Sequence, residues 1–216
     1  MSSVFYSAKG GNCTTVTAAA HAVIAAAARG PARPIVIVDL GGDMPAVLAT
    51  AETETPGIND WLSESCPLSV DDLVASAVPV APGLVLVHRG ASFVEGRPRW
   101  GDLASLLGTH DVVLDAGAGW FPPEVAAAAR ETVLVTRPCY VSLRRAVRLP
   151  KPTRVFALCE PGRALSVDDI GHVLGASPVR VPWDTSISRA VDAGLLVQRA
   201  AHLFGEAFAS ASPDPS

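Results

Sequence analysis

Between a short apolar strand, Ser3-Val4-Phe5-Tyr6, and an Ala-rich segment that reads as a helix from about Thr15 to Ala28 lies Ser7-Ala8-Lys9-Gly10-Gly11-Asn12-Cys13-Thr14-Thr15-Val16. A strand that turns through adjacent glycines directly into a helix commits the start of the chain to a βα unit. It also points the free N–H groups of a helix N-terminus at one spot, where they can hold an anion. Set against the phosphate-loop pattern G-x-x-x-x-G-K-[ST], the four defining positions carry Ala8, Cys13, Thr14 and Thr15, and only the last agrees. Thr14 can donate a hydrogen bond but carries no charge where the pattern has a lysine. Cys13 replaces a glycine that would let the backbone approach a phosphate closely.

The rest of the chain repeats the same alternation. Apolar runs at 4–6, 34–39, 84–88, 112–115, 132–136, 153–158 and 179–181 read as strands. Helical patterns at 15–28, 101–108, 122–130, 141–148, 166–174 and 185–208 lie between most of them. Strands alternating with helices predict an α/β fold with a mainly parallel sheet, whose ligands bind beyond the carboxyl ends of the strands. Residues 52–68 and 89–100 read as loops with short helical pieces, 1–208 as one domain, and 209–216 as a disordered tail. A core of this size suits 216 residues that are 49% hydrophobic.

A net charge of −4 gives no overall attraction to nucleic acid or anionic lipid. Cys13, Cys66, Cys139 and Cys159 form no C-x-x-C pair, which argues against a disulfide framework or a zinc site. With no secretory leader pattern after Met1 and no bilayer-length apolar run, the expected location is the cytoplasm and no membrane insertion is expected.

Lys9-Gly10-Gly11 resembles the start of the deviant Walker A motif, K-G-G-x-G-K-[ST], of the MinD/ParA family of P-loop ATPases. The likeness continues downstream. Ile35-Val36-Ile37-Val38-Asp39 is similar to the strand that opens the family's D-x-D segment, with the second aspartate falling on Gly41 and Asp43 nearby. Val112-Val113-Leu114-Asp115 looks like Walker B, followed by the switch-like Ala116-Gly117-Ala118-Gly119. Leu134-Val135-Thr136-Arg137-Pro138 and Val181-Pro182-Trp183-Asp184 resemble two later family segments, the second flanking the base. Where the family often has an asparagine for adenine, this chain reads Leu158-Cys159-Glu160-Pro161, so the base preference is left open.

The resemblance implies a SIMIBI-type P-loop fold, ATP and Mg²⁺ as ligands, and a nucleotide-sandwich homodimer. Lys9 would reach the partner's nucleotide. Lys9, Gly10, Gly11, Asn12, Cys13, Thr14 and Thr15 would hold phosphate, and Pro182 and Asp184 the base. Thr15, Asp39 and Asp115 would attend the metal. It also implies an unknown cargo or adaptor: a chromosome, plasmid, division site or pilus. The leading expectation is a degenerate switch or scaffold with weak or no hydrolysis. The alternatives are a slow Mg-ATPase using Lys9 and Asp43, and a DNA- or protein-binding module without nucleotide.

Several residues carry further expectations. The basic run Arg137, Arg144, Arg145, Arg148, Lys151 and Arg154 is a DNA-phosphate surface or, more ordinarily, a solvated helix face. An exposed Cys13 at a helix N-terminus should have a lowered thiol pKa, yet no base that would make it a nucleophile is identifiable. Trp61 and Trp120 read as core or partner-surface residues. The five histidines show no metal spacing. The last helix lacks a basic face and reads as core or dimer contact.

Overall fold

The computed structural model describes residues 1–51, 53–119 and 121–209. Eight strands form one sheet: β1 (Ser2–Ser7), β2 (Ile35–Asp39), β3 (Val78–Ala81), β4 (Leu84–Val87), β5 (Asp111–Ala118), β6 (Glu131–Thr136), β7 (Arg154–Leu158) and β8 (Val179–Val181). Their order across the sheet is β3-β4-β2-β5-β1-β6-β7-β8. Every neighbouring pair is parallel except β3 with β4. The parallel α/β architecture is therefore as expected, with an antiparallel hairpin added at one edge.

The strands are apolar on both faces because helices cover both. Phe5, Ile35, Ile37, Val113, Val133, Val135 and Phe156 point into one core layer, under α1 (Thr14–Arg29) and α10 (Leu196–Ala209). Their sequence neighbours Val4, Tyr6, Val36, Val38, Val112, Leu114 and Leu134 point into the other. That second layer receives α3 (Ile58–Leu62), α5 (Trp100–Thr109) and α6 (Pro123–Ala128). The period of two along each strand thus separates two cores. The alanines of α1 suit its place: Ala18, Ala19, Ala20, Ala22 and Ala26 are buried, and their small side chains bring the helix close to the sheet.

Three elements were not foreseen. The strand β3 escapes notice because Pro79 interrupts its pattern, and Pro is tolerated there because β3 lies at the sheet edge. The short helices α2 (Met44–Leu48) and α4 (Val70–Ala75) fall in segments without a long apolar period, whereas α3 is one of the short helical pieces expected in 52–68. A helix expected over 185–208 is two, α9 (Thr185–Asp192) and α10. The break comes at Gly194, which has φ +67° and would press a Cβ to 3.0 Å from the Cβ of Ala49. The remaining helices, α7 (Tyr140–Ala146) and α8 (Val167–Leu174), agree with expectation to within two residues.

Trp61 is core: it is fully buried, and its indole N–H donates to the carbonyls of Leu68 and Ser69 at 3.1 and 3.2 Å. Trp120, read as core or partner surface, lies outside the described residues, as does the expected 209–216 tail apart from Ala209, which is the last residue of α10. No helix among the described residues is long and apolar enough to cross a membrane.

Candidate functional site

Strand β1 lies between β5 and β6, so the segment that leaves it emerges at the middle of the sheet's carboxyl end. This segment, 8–13, folds into a loop and enters α1 with no side-chain cap at Cys13. The first amides of the helix are thereby left facing a cavity of about 420 Å³, whose lining includes Gly10 to Val16, Gly41, Asp43 and Gly117. Lys9, Thr14, Thr15, Asp39, Asp43 and Asp115, widely separated in sequence, all belong to this end of the sheet.

Two adjacent strands each end in a buried carboxylate. Asp39 and Asp115 are opposite one another in the β2–β5 register, and both are fully buried. Asp39 accepts the amides of Gly42 and Met44 at 2.7 and 3.0 Å. Burial nonetheless pushes its pKa up, with Asp43 adding to the rise. Asp115 accepts the amide of Gly117 at 2.9 Å, and its Oδ2 is buried without a hydrogen-bond partner among the described residues. Burial pushes Asp115 up to about 6; the Thr15 hydroxyl and the Gly117 amide pull it back, and Asp39 and Asp43 raise it further.

Gly41, where the second aspartate of a D-x-D segment would fall, faces this pair. A Cβ there would sit 3.4 Å from Asp115 Oδ2 and 3.4 Å from Asp39 Oδ1. Asp43 is exposed, caps α2 without a side-chain bond and lines the cavity.

The donor set fits a hard divalent cation: an orphaned buried carboxylate oxygen, a second carboxylate beside it and the Thr15 hydroxyl. No group of three or more His, Cys, Asp or Glu among the described residues could hold a metal alone. A magnesium ion here would therefore need oxygens from a phosphate ligand as well.

The loop itself departs from a glycine-lined cradle. Cys13 has φ +60°, a left-handed conformation that glycine adopts freely and a side chain resists. Its expected lowered thiol is corrected: the pKa is raised. The cause is the apolar cavity that the exposed side chain borders, about 260 Å³ and lined also by Val16, Leu158, Val181, Trp183, Ile187 and Phe204. Arg137 pulls the thiol the other way. The lowered thiol belongs instead to Cys139, where the Ser142 amide stabilises the thiolate at the start of α7. Its place just before the helix expected at 141–148 is the signal that could have found it.

Lys9 Nζ donates to the carbonyl of Gly10 at 2.8 Å. The side chain of Asn12 is buried and donates to Ser142 Oγ at 3.0 Å, and Ser142 is bonded in turn to Thr136. It tethers the loop to the β6–α7 junction through its amide nitrogen, while its Oδ1 is buried without a hydrogen-bond partner among the described residues. Pro182 and Asp184 border the apolar cavity. Asp184 also caps α9 by accepting the Ser186 amide at 2.7 Å, which holds its pKa down.

The basic run divides. Arg137 binds Glu160 beside the loop, and Arg154 pairs with Glu131 at 3.4 Å. Arg144 and Arg145 are exposed on α7 and Arg148 in the turn that follows it, near exposed Tyr140, Val141 and Val147.

No protein-family model matches the sequence, and no curated protein matches it. Solved structures do. A ParA family ATPase from Chlorobium tepidum TLS is 26% identical, with TM-score 0.76 over 93% of this chain and 91% of that one. A chain of the MinC:MinD cell division protein complex of Aquifex aeolicus gives TM-score 0.72 at 17% identity, covering 100% and 98%. The septum site-determining protein MinD from Pyrococcus horikoshii OT3, complexed with Mg-ADP, gives 0.68 at 17%, covering 97% and 94%. The chain has the MinD/ParA-like P-loop fold.

Proposed function

We propose that this chain is a MinD/ParA-like positioning or partitioning protein, a degenerate nucleotide switch or scaffold with weak or no hydrolysis. One observation carries the proposal. Thr15 and Gly41, which line the cavity, stand directly beside the buried pair Asp39 and Asp115, whereas Thr14 and Gly41 lack the charges that would drive chemistry. The similarity to ParA and MinD structures, one with Mg-ADP, supports nucleotide as the ligand class.

In this proposal the amides of Gly10 to Thr15 hold the phosphates, and Thr15, Asp39 and Asp115 hold magnesium. Pro182 and Asp184 flank the base. Bound magnesium would neutralise phosphate charge. Residues 1–208 act as one cytoplasmic domain that pairs with a second copy and engages a protein cargo or adaptor. Titration calorimetry with Mg-ATP tests it. Micromolar binding with turnover near background is the expected result; no binding at millimolar ATP would place the function in the protein's surfaces.

Two observations favour other readings. Asp43 lines the cavity and its charge reaches both buried carboxylates, which favours a slow Mg-ATPase with Asp43 positioning water and Lys9 acting across a dimer. Turnover lost in Lys9→Ala would support that; no turnover under dimerising conditions would sink it. The exposed Arg144, Arg145 and Arg148 favour non-specific DNA binding. Salt-sensitive binding that survives Lys9→Ala and fails in Arg144→Ala/Arg145→Ala is its signature.

A further inference from the structure

Arg137 leaves the end of β6 beside the start of the loop, because β6 pairs with β1 in a register that sets Tyr6 opposite Leu134. Its Nη1 donates to the carbonyl of Gly11 at 3.1 Å. Its Nε donates to Glu160 Oε2 at 2.7 Å, and its second terminal nitrogen donates to Glu160 Oε1. The guanidinium lies over the Trp183 ring, 5.2 Å from its centroid. Arg163 donates to the same Oε1 at 2.7 Å. Two guanidiniums on one carboxylate leave one net positive charge on the shoulder of the loop.

The other cations at this end are held less firmly. Lys9 folds onto its own loop, and exposed Arg89 reaches only the Gly41 carbonyl, at 3.4 Å. Arg137 is fixed on three sides by a loop carbonyl, a forked carboxylate and an indole. A planar guanidinium held in this way loses little further freedom when it meets an oxyanion.

We infer that Arg137 is a ligand-binding residue, supplying from its own chain the positive charge for a polyphosphate that Thr14 does not provide. The clamp engages three of the five guanidinium N–H groups, and the remaining two, one on each terminal nitrogen, meet the phosphates while Glu160 stays paired with both arginines. This assignment rests on the loop holding a nucleotide's phosphates.

The test is calorimetric titration with Mg-ATP and with magnesium inorganic triphosphate, for wild type, Arg137→Ala, Arg137→Lys and Thr14→Lys/Arg137→Ala. Losing a charged hydrogen-bonding partner should weaken both ligands by about ten- to a hundredfold in Arg137→Ala. Arg137→Lys should keep part of the affinity, and the added Thr14→Lys should restore it. A clamp that merely shapes the loop would not be rescued by a lysine elsewhere, so failed rescue in a folded double variant overturns the inference. Equal binding by wild type and Arg137→Ala overturns it while leaving the nucleotide proposal standing. No binding by wild type overturns both.

Should Arg137→Ala fail to fold, Thr14→Lys alone decides. With Arg137 already supplying charge, the gain should stay below about tenfold, and a gain of about a hundredfold overturns the inference.

Discussion

Strand β5 carries a buried aspartate near each end, and the two are treated in opposite ways. Asp111, at the amino end, is 2% exposed and meets Arg29 at 2.9 Å and Arg33 at 2.7 Å. Asp115, at the carboxyl end, is 0% exposed and meets a second carboxylate, with no cation paired to it among the described residues. Equal burial therefore gives an ion pair at one end and an electrostatic debt at the other. A fold that can neutralise an aspartate on this strand, and does not do so four residues later, marks the second as a place for a cation from outside.

Variants at the two ends should split accordingly. Arg29→Ala/Arg33→Ala should destabilise by about 3 kcal/mol in chemical denaturation, the cost of leaving the buried Asp111 carboxylate without its two guanidinium partners. Asp115→Asn should instead stabilise the unliganded protein by about 2 kcal/mol above pH 6, while removing magnesium-dependent nucleotide binding. The sign follows from an acid whose folded pKa, about 6, stands above its ordinary 3.8. Its penalty is absent below the ordinary value and grows as pH rises through the folded one. A loss of stability in Asp115→Asn would break the contrast.

A pH series sharpens it. The ring of His21 lies between Phe5 and Phe208 with its Nε2 buried and unpartnered among the described residues, and burial lowers its pKa to about 4. Arg154 lowers it further. Below the ordinary value of 6.5 the unfolded chain takes up a proton that folded His21 refuses, so this group costs stability as pH falls toward 4. Asp115 contributes the opposite slope over pH 4 to 6. Wild type should therefore be nearly flat across that window in these two contributions, and Asp115→Asn should uncover a fall of about 1.4 kcal/mol per pH unit. The smallest effect is at the loop: Cys13→Gly should raise stability by about 1 kcal/mol by relieving the left-handed conformation, read as a shift of the thermal midpoint.

The parallel sheet was legible because each strand is an apolar run bounded by polar or turn residues. Asp39 and Asp115 were legible because each ends such a run. Cys13 announced itself too, as a side chain where the pattern wants glycine, and its φ of +60° shows the backbone keeping the glycine geometry. What could not be read arises between segments. Arg137, Glu160 and Trp183 come from the ends of three different strands, and only the order β6-β7-β8 brings them together. The raised thiol of Cys13 likewise depends on a cavity built partly from α9 and α10. The basic run looked continuous because linear order ignores the carboxylates that the fold places opposite its two ends.

Both margins of the sheet are blunt. At one, β3 carries Pro79, which has no N–H to offer a newcomer; at the other, β8 is three residues long, with its central Arg180 exposed. Backbone ladders thus have little purchase for lengthening sideways from either margin, the usual first step toward fibrous aggregates. Any ordered assembly of this protein is thereby steered away from strand addition and toward side-chain surfaces, where composition rather than backbone repetition chooses the neighbour.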